Sequence, residues 1–145
     1  MSHTLSHFKE DFYLLLEAGF IAVNSADEDS AVKLFRASEL LSPENTLPKI
    51  GFGYVHLCKL ELKQACAIFR DVISKEPENE MAKTFLGICM SLMPTELTKG
   101  EKLLSEAAES SKDQGIKDLA NTAINFVDTY VKKAPSPVDP QKKKH

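Results

Sequence analysis

The sequence predicts an all-α protein built from a repeated helical hairpin with one further helix at its end. Three observations carry this reading. First, residues recur at an interval of 34: Gly19, Gly53 and Gly87; Ala31 and Ala65; Phe35 and Phe69; Pro43 and Pro77. Several residue types in one phase point to a repeat array, in which each unit buries its apolar face against its neighbours. Second, apolar residues inside each unit fall at helical spacing, and Pro stands where the first two units close. Third, 43% hydrophobic and 27% charged residues in 145 are ordinary proportions for a folded chain and wrong for a disordered one.

The elements follow in order. A first helix is expected over about 5–24 and a second over about 28–42, with Ser25 to Asp29 as the polar turn between them. In that turn the acidic Asp27-Glu28-Asp29 run suits the positive end of a helix dipole better than a cation site. A third helix over about 47–59 starts at an Asn45-Thr46 cap, with Pro48 in its first turn. The fourth covers about 61–75, and the fifth about 78–92, closed by Pro94. The sixth covers about 97–110, with Thr95 or Thr98 as cap. A seventh, about 114–132, carries Ile116, Leu119, Ala120, Ala123, Ile124 and Val127 on one stripe, as a helix closing the end of the array would. Residues 134–145 are Pro- and Lys-rich and are expected to be a disordered, solvated tail.

The recurring residues have a packing reason. Small side chains at Gly19, Gly53, Ala31 and Ala65 let paired helices cross closely, and Phe35 and Phe69 fill the space beside them. Pro43 and Pro77 sit past helix ends, where a residue that cannot continue a helix belongs.

These residues resemble the tetratricopeptide repeat (TPR) family, whose pattern runs bulky, Leu-Gly, aromatic, Ala, Phe, Ala, Pro. In the first repeat, about 12–45, the matches are Leu15, Ala18-Gly19, Ala22, Ala31, Phe35 and Pro43. In the second, about 46–79, they are Phe52-Gly53, Ala65, Phe69 and Pro77, with His56 where an aromatic is usual. The third, about 80–114, opens with Leu86-Gly87 and Met90 and slips by one residue around Pro94. There Gly100, Leu104 and Ala107 take the small, bulky and small roles, and the closing Pro is absent. The resemblance implies three helix-turn-helix repeats in a right-handed superhelix with a C-terminal capping helix, one domain over residues 1–133.

It also implies which side chains face the groove, at positions 2, 5, 9, 12 and 13 of each repeat. Those are Tyr13, Leu16, Phe20, Val23 and Asn24; Leu47, Ile50, Tyr54, Leu57 and Cys58; and Met81, Thr84, Ile88, Ser91 and Leu92. TPR proteins that grip the C-terminal carboxylate of heat-shock chaperones use Lys, Asn and Arg at such positions. Here no Lys or Arg occupies any of them, and Phe20, Tyr54 and Ile88 stand where the clamp Asn would. An apolar groove suits the apolar face of an amphipathic helix or an extended apolar strand. The expected partner-binding residues are Tyr13, Leu16, Phe20, Val23, Leu47, Ile50, Tyr54, Leu57, Met81, Ile88 and Leu92. For Leu16 and Leu47, packing between neighbouring helices is an equally good reading.

Three such repeats plus a capping helix in a chain of this size resemble the chaperones of bacterial type III secretion. Leu14-Leu-Leu-Glu-Ala-Gly-Phe-Ile-Ala22 followed by Ala31-Val-Lys-Leu-Phe35 looks like the needle-subunit (G-type) chaperones. That resemblance implies a bacterial cytoplasmic protein, near the secretion apparatus. It would sequester an amphipathic helix of the needle subunit and prevent premature polymerisation, together with a small helical co-chaperone. The alternatives are a chaperone of the translocator proteins, which usually carries a longer N-terminal arm, and a generic TPR scaffold working through polar edges.

Charge and chemistry narrow the remaining classes. Net charge is −3, and residues 1–133 carry 15 basic against 20 acidic side chains, so phosphate backbones are repelled and nucleic acid is not an expected partner. Cys58, Cys66 and Cys89 are odd in number, lack CxxC spacing and lie in apolar helical stretches, where thiols pack as small hydrophobes in a reducing compartment. His3, His7, His56 and His145 have no ligand spacing with Cys or carboxylates, so no metal is expected. There is no GxxxxGK[ST] or GxSxG motif. Neither an enzyme, a cofactor nor a small-molecule substrate is expected. No uncharged apolar stretch reaches membrane-spanning length, and no signal-peptide pattern is read at the N-terminus.

Overall fold

Local chemistry sets the helix ends. The computed structural model describes residues 2–133, with side chains from residue 7 onward. Among the described residues there are seven α-helices and no strand: α1 (Ser2–Asn24), α2 (Glu28–Leu41), α3 (Leu47–Cys58), α4 (Leu62–Lys75), α5 (Glu80–Ser91), α6 (Leu97–Ser110) and α7 (Gln114–Phe126). The seventh does not run on as an α-helix to 132 as expected; it widens into a π-helical turn over Val127–Val131. That turn is held where Lys132 pairs with Asp128 and with Glu101 of α6. The expected tail lies outside the described residues.

Three helices begin on side-chain caps, which satisfy backbone donors that have no intrahelical partner. Asp27 accepts from the Ser30 amide, Asn79 from Ala82, and Asp113 from Gly115 and Ile116. Of two other expected caps, the Asn45-Thr46 cap forms through Asn45 alone and the α6 cap does not form. Thr46 stands at the start of α3 but its hydroxyl caps nothing, and Asn45 Oδ1 instead accepts from the Leu47 amide at 2.9 Å. Neither Thr95 nor Thr98 caps α6. The turn in which the Glu96 amide donates to the Met93 carbonyl brings Glu96 to the helix start.

Packing is heaviest within the pairs α1–α2, α3–α4 and α5–α6. Each pair then meets the next twice: α1 touches α3 and α2 touches α3; α3 touches α5 and α4 touches α5; α5 and α6 both touch α7. One row of helices, α1, α3, α5 and α7, therefore lies beside a second row, α2, α4 and α6. The closing helix covers the last pair as its apolar stripe predicts, with Ile116, Ala120 and Val127 buried.

The glycines set how closely each pair crosses. A Cβ on Gly19 would lie 2.5 Å from the Phe35 ring, and one on Gly53 would lie 2.5 Å from the Phe69 ring. Both rings are fully buried, so they cannot step aside. The third pair closes differently. A Cβ on Gly100 would lie 2.5 Å from the Ser91 backbone nitrogen and 2.8 Å from the Gly87 carbonyl oxygen. Here backbone meets backbone, and the Ser91 hydroxyl donates to Gly87 O at 2.7 Å.

The core lies between the two rows. Phe12, Leu16, Val23, Ala31, Phe35 and Val55 form one buried cluster. Ile50, Leu57, Ala65, Cys66, Phe69, Val72, Ala82, Leu86, Cys89 and Met90 form the other. Cys66 and Cys89 pack as the small hydrophobes expected, but Cys58 is exposed, because it sits at the C-terminal end of α3.

Candidate functional site

Tyr54 stands at the centre of the α1–α3–α5–α7 row. Its ring lies 5.7 Å from that of Phe20 on α1 and 5.5 Å from that of Phe85 on α5. Phe20 and Tyr54 share a repeat position, so their rings meet across neighbouring helices. Phe85 in turn stacks on Phe69 of α4 at 5.6 Å, tying the row to the core beneath. The Tyr54 hydroxyl donates to Asn24 Oδ1 at 2.7 Å. Burial, and then the neighbouring Cys58 thiol, push the phenol up to about 12, so it remains a protonated donor at neutral pH.

The eleven residues expected to bind a partner divide by depth. Tyr13 and Met81 are exposed, while Phe20, Leu47, Tyr54, Ile88 and Leu92 are half-buried and offer part of their surface. Leu16, Val23, Ile50 and Leu57 are buried and correct the expectation: they belong to the core rather than to an accessible face. The physical reason is their angular position. Leu16 and Val23 fall on the stripe of α1 that meets Phe35, and Ile50 and Leu57 on the stripe of α3 that meets Phe69. Thr84 and Ser91 are also buried, with their hydroxyls donating back to Glu80 O and Gly87 O.

At its C-terminal end the row opens into a cleft of about 260 Å³ between α5 and α7. Ile88 and Leu92 form one wall; Leu119, Thr122, Ala123, Phe126 and Val127 form the other. The Phe126 ring packs on Tyr130 at 5.2 Å, and both remain largely exposed. Phe85, Leu119, Ala123 and Phe126 are not among the residues that the sequence pattern marks for partner binding. Phe85 falls outside the family groove positions, and the α7 stripe was read only as a cover for the last repeat. The signal for α7 was that its apolar stripe is wider than one covering contact uses.

A second apolar feature lies at the other end. Leu14 and Ile21 of α1 are 62% and 58% exposed. Their counterparts one and two repeats later are Pro48 and Val55, then Ala82 and Cys89, and all four are buried. In those later repeats the preceding hairpin covers these positions. The first repeat has no preceding hairpin among the described residues.

His56 Nδ1 lies 2.8 Å from Glu61 Oε2. Among the described residues no three His, Cys, Asp or Glu side chains converge as metal ligands, and no helix is long and apolar enough to cross a membrane. No known protein family matches the chain, and no curated protein or solved structure matches it either.

Proposed function

We propose that this chain is a protein-binding chaperone of the needle-subunit type in type III secretion. In this reading an amphipathic helix of the needle subunit lies along the α1–α3–α5–α7 row, and its capture keeps that subunit from polymerising in the bacterial cytoplasm. The observation that carries the reading is the apolar row itself, from Tyr13 through Phe20, Tyr54 and Phe85 to Ile88 and Phe126. The described residues have no strand whose edge could accept an extended peptide, so side-chain burial is what the surface offers. That favours a helix as occupant over a strand.

The open edge at Leu14 and Ile21 supports the accompanying co-chaperone. A small helical protein laid against it would cover α1 as the first hairpin covers α3. A partly exposed apolar row with an exposed apolar end is the kind of surface that marks a protein-interaction site.

Co-expression with a needle subunit and co-chaperone tests both halves. Phe126→Glu leaves the fold intact, since half of that side chain already meets solvent, and it is expected to weaken needle-subunit capture more than tenfold. Leu14→Lys with Ile21→Lys is expected to release the co-chaperone and leave needle-subunit contacts in place. Occupation of the row should raise the melting temperature by mass action. Unchanged capture by Phe126→Glu and by Tyr54→Glu together would sink the mechanism.

A further inference from the structure

A cleft of about 540 Å³ opens on the side of α3 turned away from Tyr54. Phe52 lies on its floor, two residues and about 200° round the helix from Tyr54, and Ala67 and Ile68 of α4 form one wall. α2 and α4 pack on α3 from either side rather than heavily on each other, so the floor stays open between them. Phe52, His56 and Ile68 are accordingly only half-buried. One repeat later the positions of Phe52 and His56 are Leu86 and Met90, and both are buried. The opening therefore belongs to the second repeat and is no consequence of the repeat plan.

The charges around that floor are unevenly satisfied. Lys49 pairs with Asp71 at 3.4 Å, and Asp71 also holds Lys75 at 3.4 Å. His56 pairs with Glu61. Arg36 and Glu39, on successive turns of α2, pair with no opposite charge among the described residues. The Arg36 guanidinium instead lies over the Phe52 ring, 5.7 Å from its centroid. A guanidinium held on an aromatic face keeps its N–H edge available, and that edge matches a carboxylate through two parallel hydrogen bonds. Glu39, about 4.5 Å further along the helix axis, asks for the opposite sign. An apolar floor with one cation and one anion a turn apart on its rim is complementary to a helix face that carries an aliphatic residue, an acid and a base. A polyanion is a poor match, because Glu39 and Asp71 stand on the same rim.

We propose that this cleft is a second protein-docking site, which takes a partner helix with an aliphatic side chain on the Phe52–Ile68 floor, a carboxylate on Arg36 and a Lys or Arg on Glu39. The site does not depend on the needle-subunit reading. The cleft and the Phe20–Tyr54 row lie on opposite sides of α3, so one can be filled while the other is occupied.

Nuclear magnetic resonance titration of the full chain with an alanine-based helical peptide tests the match. The peptide carries Leu, Glu and Lys on one face, each a turn from the next, and a control peptide carries Lys in place of the Glu. The first peptide is expected to shift the methyl signals of Ala67 and Ile68 and to leave those of Ile88 and Leu92 in place. Arg36→Met should weaken that binding at least fivefold, and Arg36→Glu should reverse the preference so that the control binds more tightly. Arg36 is exposed, so both variants are expected to fold as the unaltered chain does. No shift at Ile68 with millimolar peptide, equal binding of the two peptides by the unaltered chain, or unchanged binding by both variants overturns the proposal. So do Ile68 signals that move with protein concentration alone, since a second copy of the chain would then be the occupant.

Discussion

The first two hairpins and the third bring their paired helices together by different means. In α1–α2 and α3–α4 a glycine faces a buried phenylalanine ring, Gly19 against Phe35 and Gly53 against Phe69. Both hairpins also turn through a left-handed residue at the same repeat position, Ala26 and Leu60, each with φ of 59°. The α5–α6 hairpin has no left-handed turn residue, passes through Pro94, and sets Gly100 directly on the backbone of Ser91. A ring is a separate part that can be resized, whereas a backbone contact cannot. The one-residue slip at Pro94 is what exchanges one solution for the other, and it leaves the third pair less tolerant of change.

The largest effect is expected at Gly100. Gly100→Ala places a methyl 2.5 Å from a main-chain nitrogen and should cost more than about 3 kcal/mol by chemical denaturation, despite a helix-propensity gain near 1. If Ser91→Ala restores that loss, the hydroxyl rather than the backbone is the obstacle and the contrast between the hairpins fails. Gly53→Ala should cost less, about 1–2 kcal/mol, and Phe69→Leu in the same chain should recover part of it by shortening the side chain that clashes.

Alkali probes the α4–α5 contact and the α1–α3–α5 row separately. Burial raises the Cys89 thiol from its usual 9.0 to about 12, and burial likewise raises the Tyr54 phenol from 10.0 to about 12. Both groups are neutral when protonated, so their contribution is fully present below the unfolded values. It is lost as pH rises toward 12, because the unfolded chain ionises first. Melting temperature should therefore fall from about pH 9 upward. Cys89→Ala should remove the earlier part of that fall, which arises where α5 packs on Cys66 of α4. Tyr54→Phe should soften the part above pH 10 while losing about 1 kcal/mol at neutral pH with the Asn24 hydrogen bond.

The smallest expected effect has the opposite sign. Leu60→Gly relieves a left-handed turn and should stabilise the chain by about 0.5–1 kcal/mol, as should Ala26→Gly. A destabilised Leu60→Gly chain would mean that the exposed leucine earns its place by a contact with a partner.

The repeat and its helices were legible because glycine, alanine and phenylalanine at a fixed interval encode the close crossings themselves. The left-handed turns were not, since Ala26 and Leu60 carry no turn signal of the kind Gly or Asn gives. The neighbouring Phe20 and Tyr54 rings were legible from their shared phase. The burial of Leu16, Val23, Ile50 and Leu57 was not, because periodicity tells which stripe a residue occupies and not how far the next helix closes over it. Phe85 escaped for a related reason: its repeat position is Glu17 in the first unit and Gly51 in the second, so the period gave no hint of a third aromatic.

The run of rings from Phe20 through Tyr54 to Phe85 also gives the protein a built-in light gauge. The chain has no tryptophan, and its three tyrosines are Tyr13, Tyr54 and Tyr130. Tyr54 alone has phenylalanine rings on both sides, at 5.7 and 5.5 Å, close enough for excitation absorbed by phenylalanine to emerge as tyrosine emission. Separation of α1, α3 and α5 would remove the Tyr54 share of that transfer and leave the share carried within single stretches of chain by Phe12–Tyr13 and Phe126–Tyr130. The seam where the first three helices of the row meet can thus be watched in the unlabelled molecule, with ultraviolet light near 260 nm (roughly the phenylalanine absorption band, far from where the peptide bond absorbs) and no dye attached.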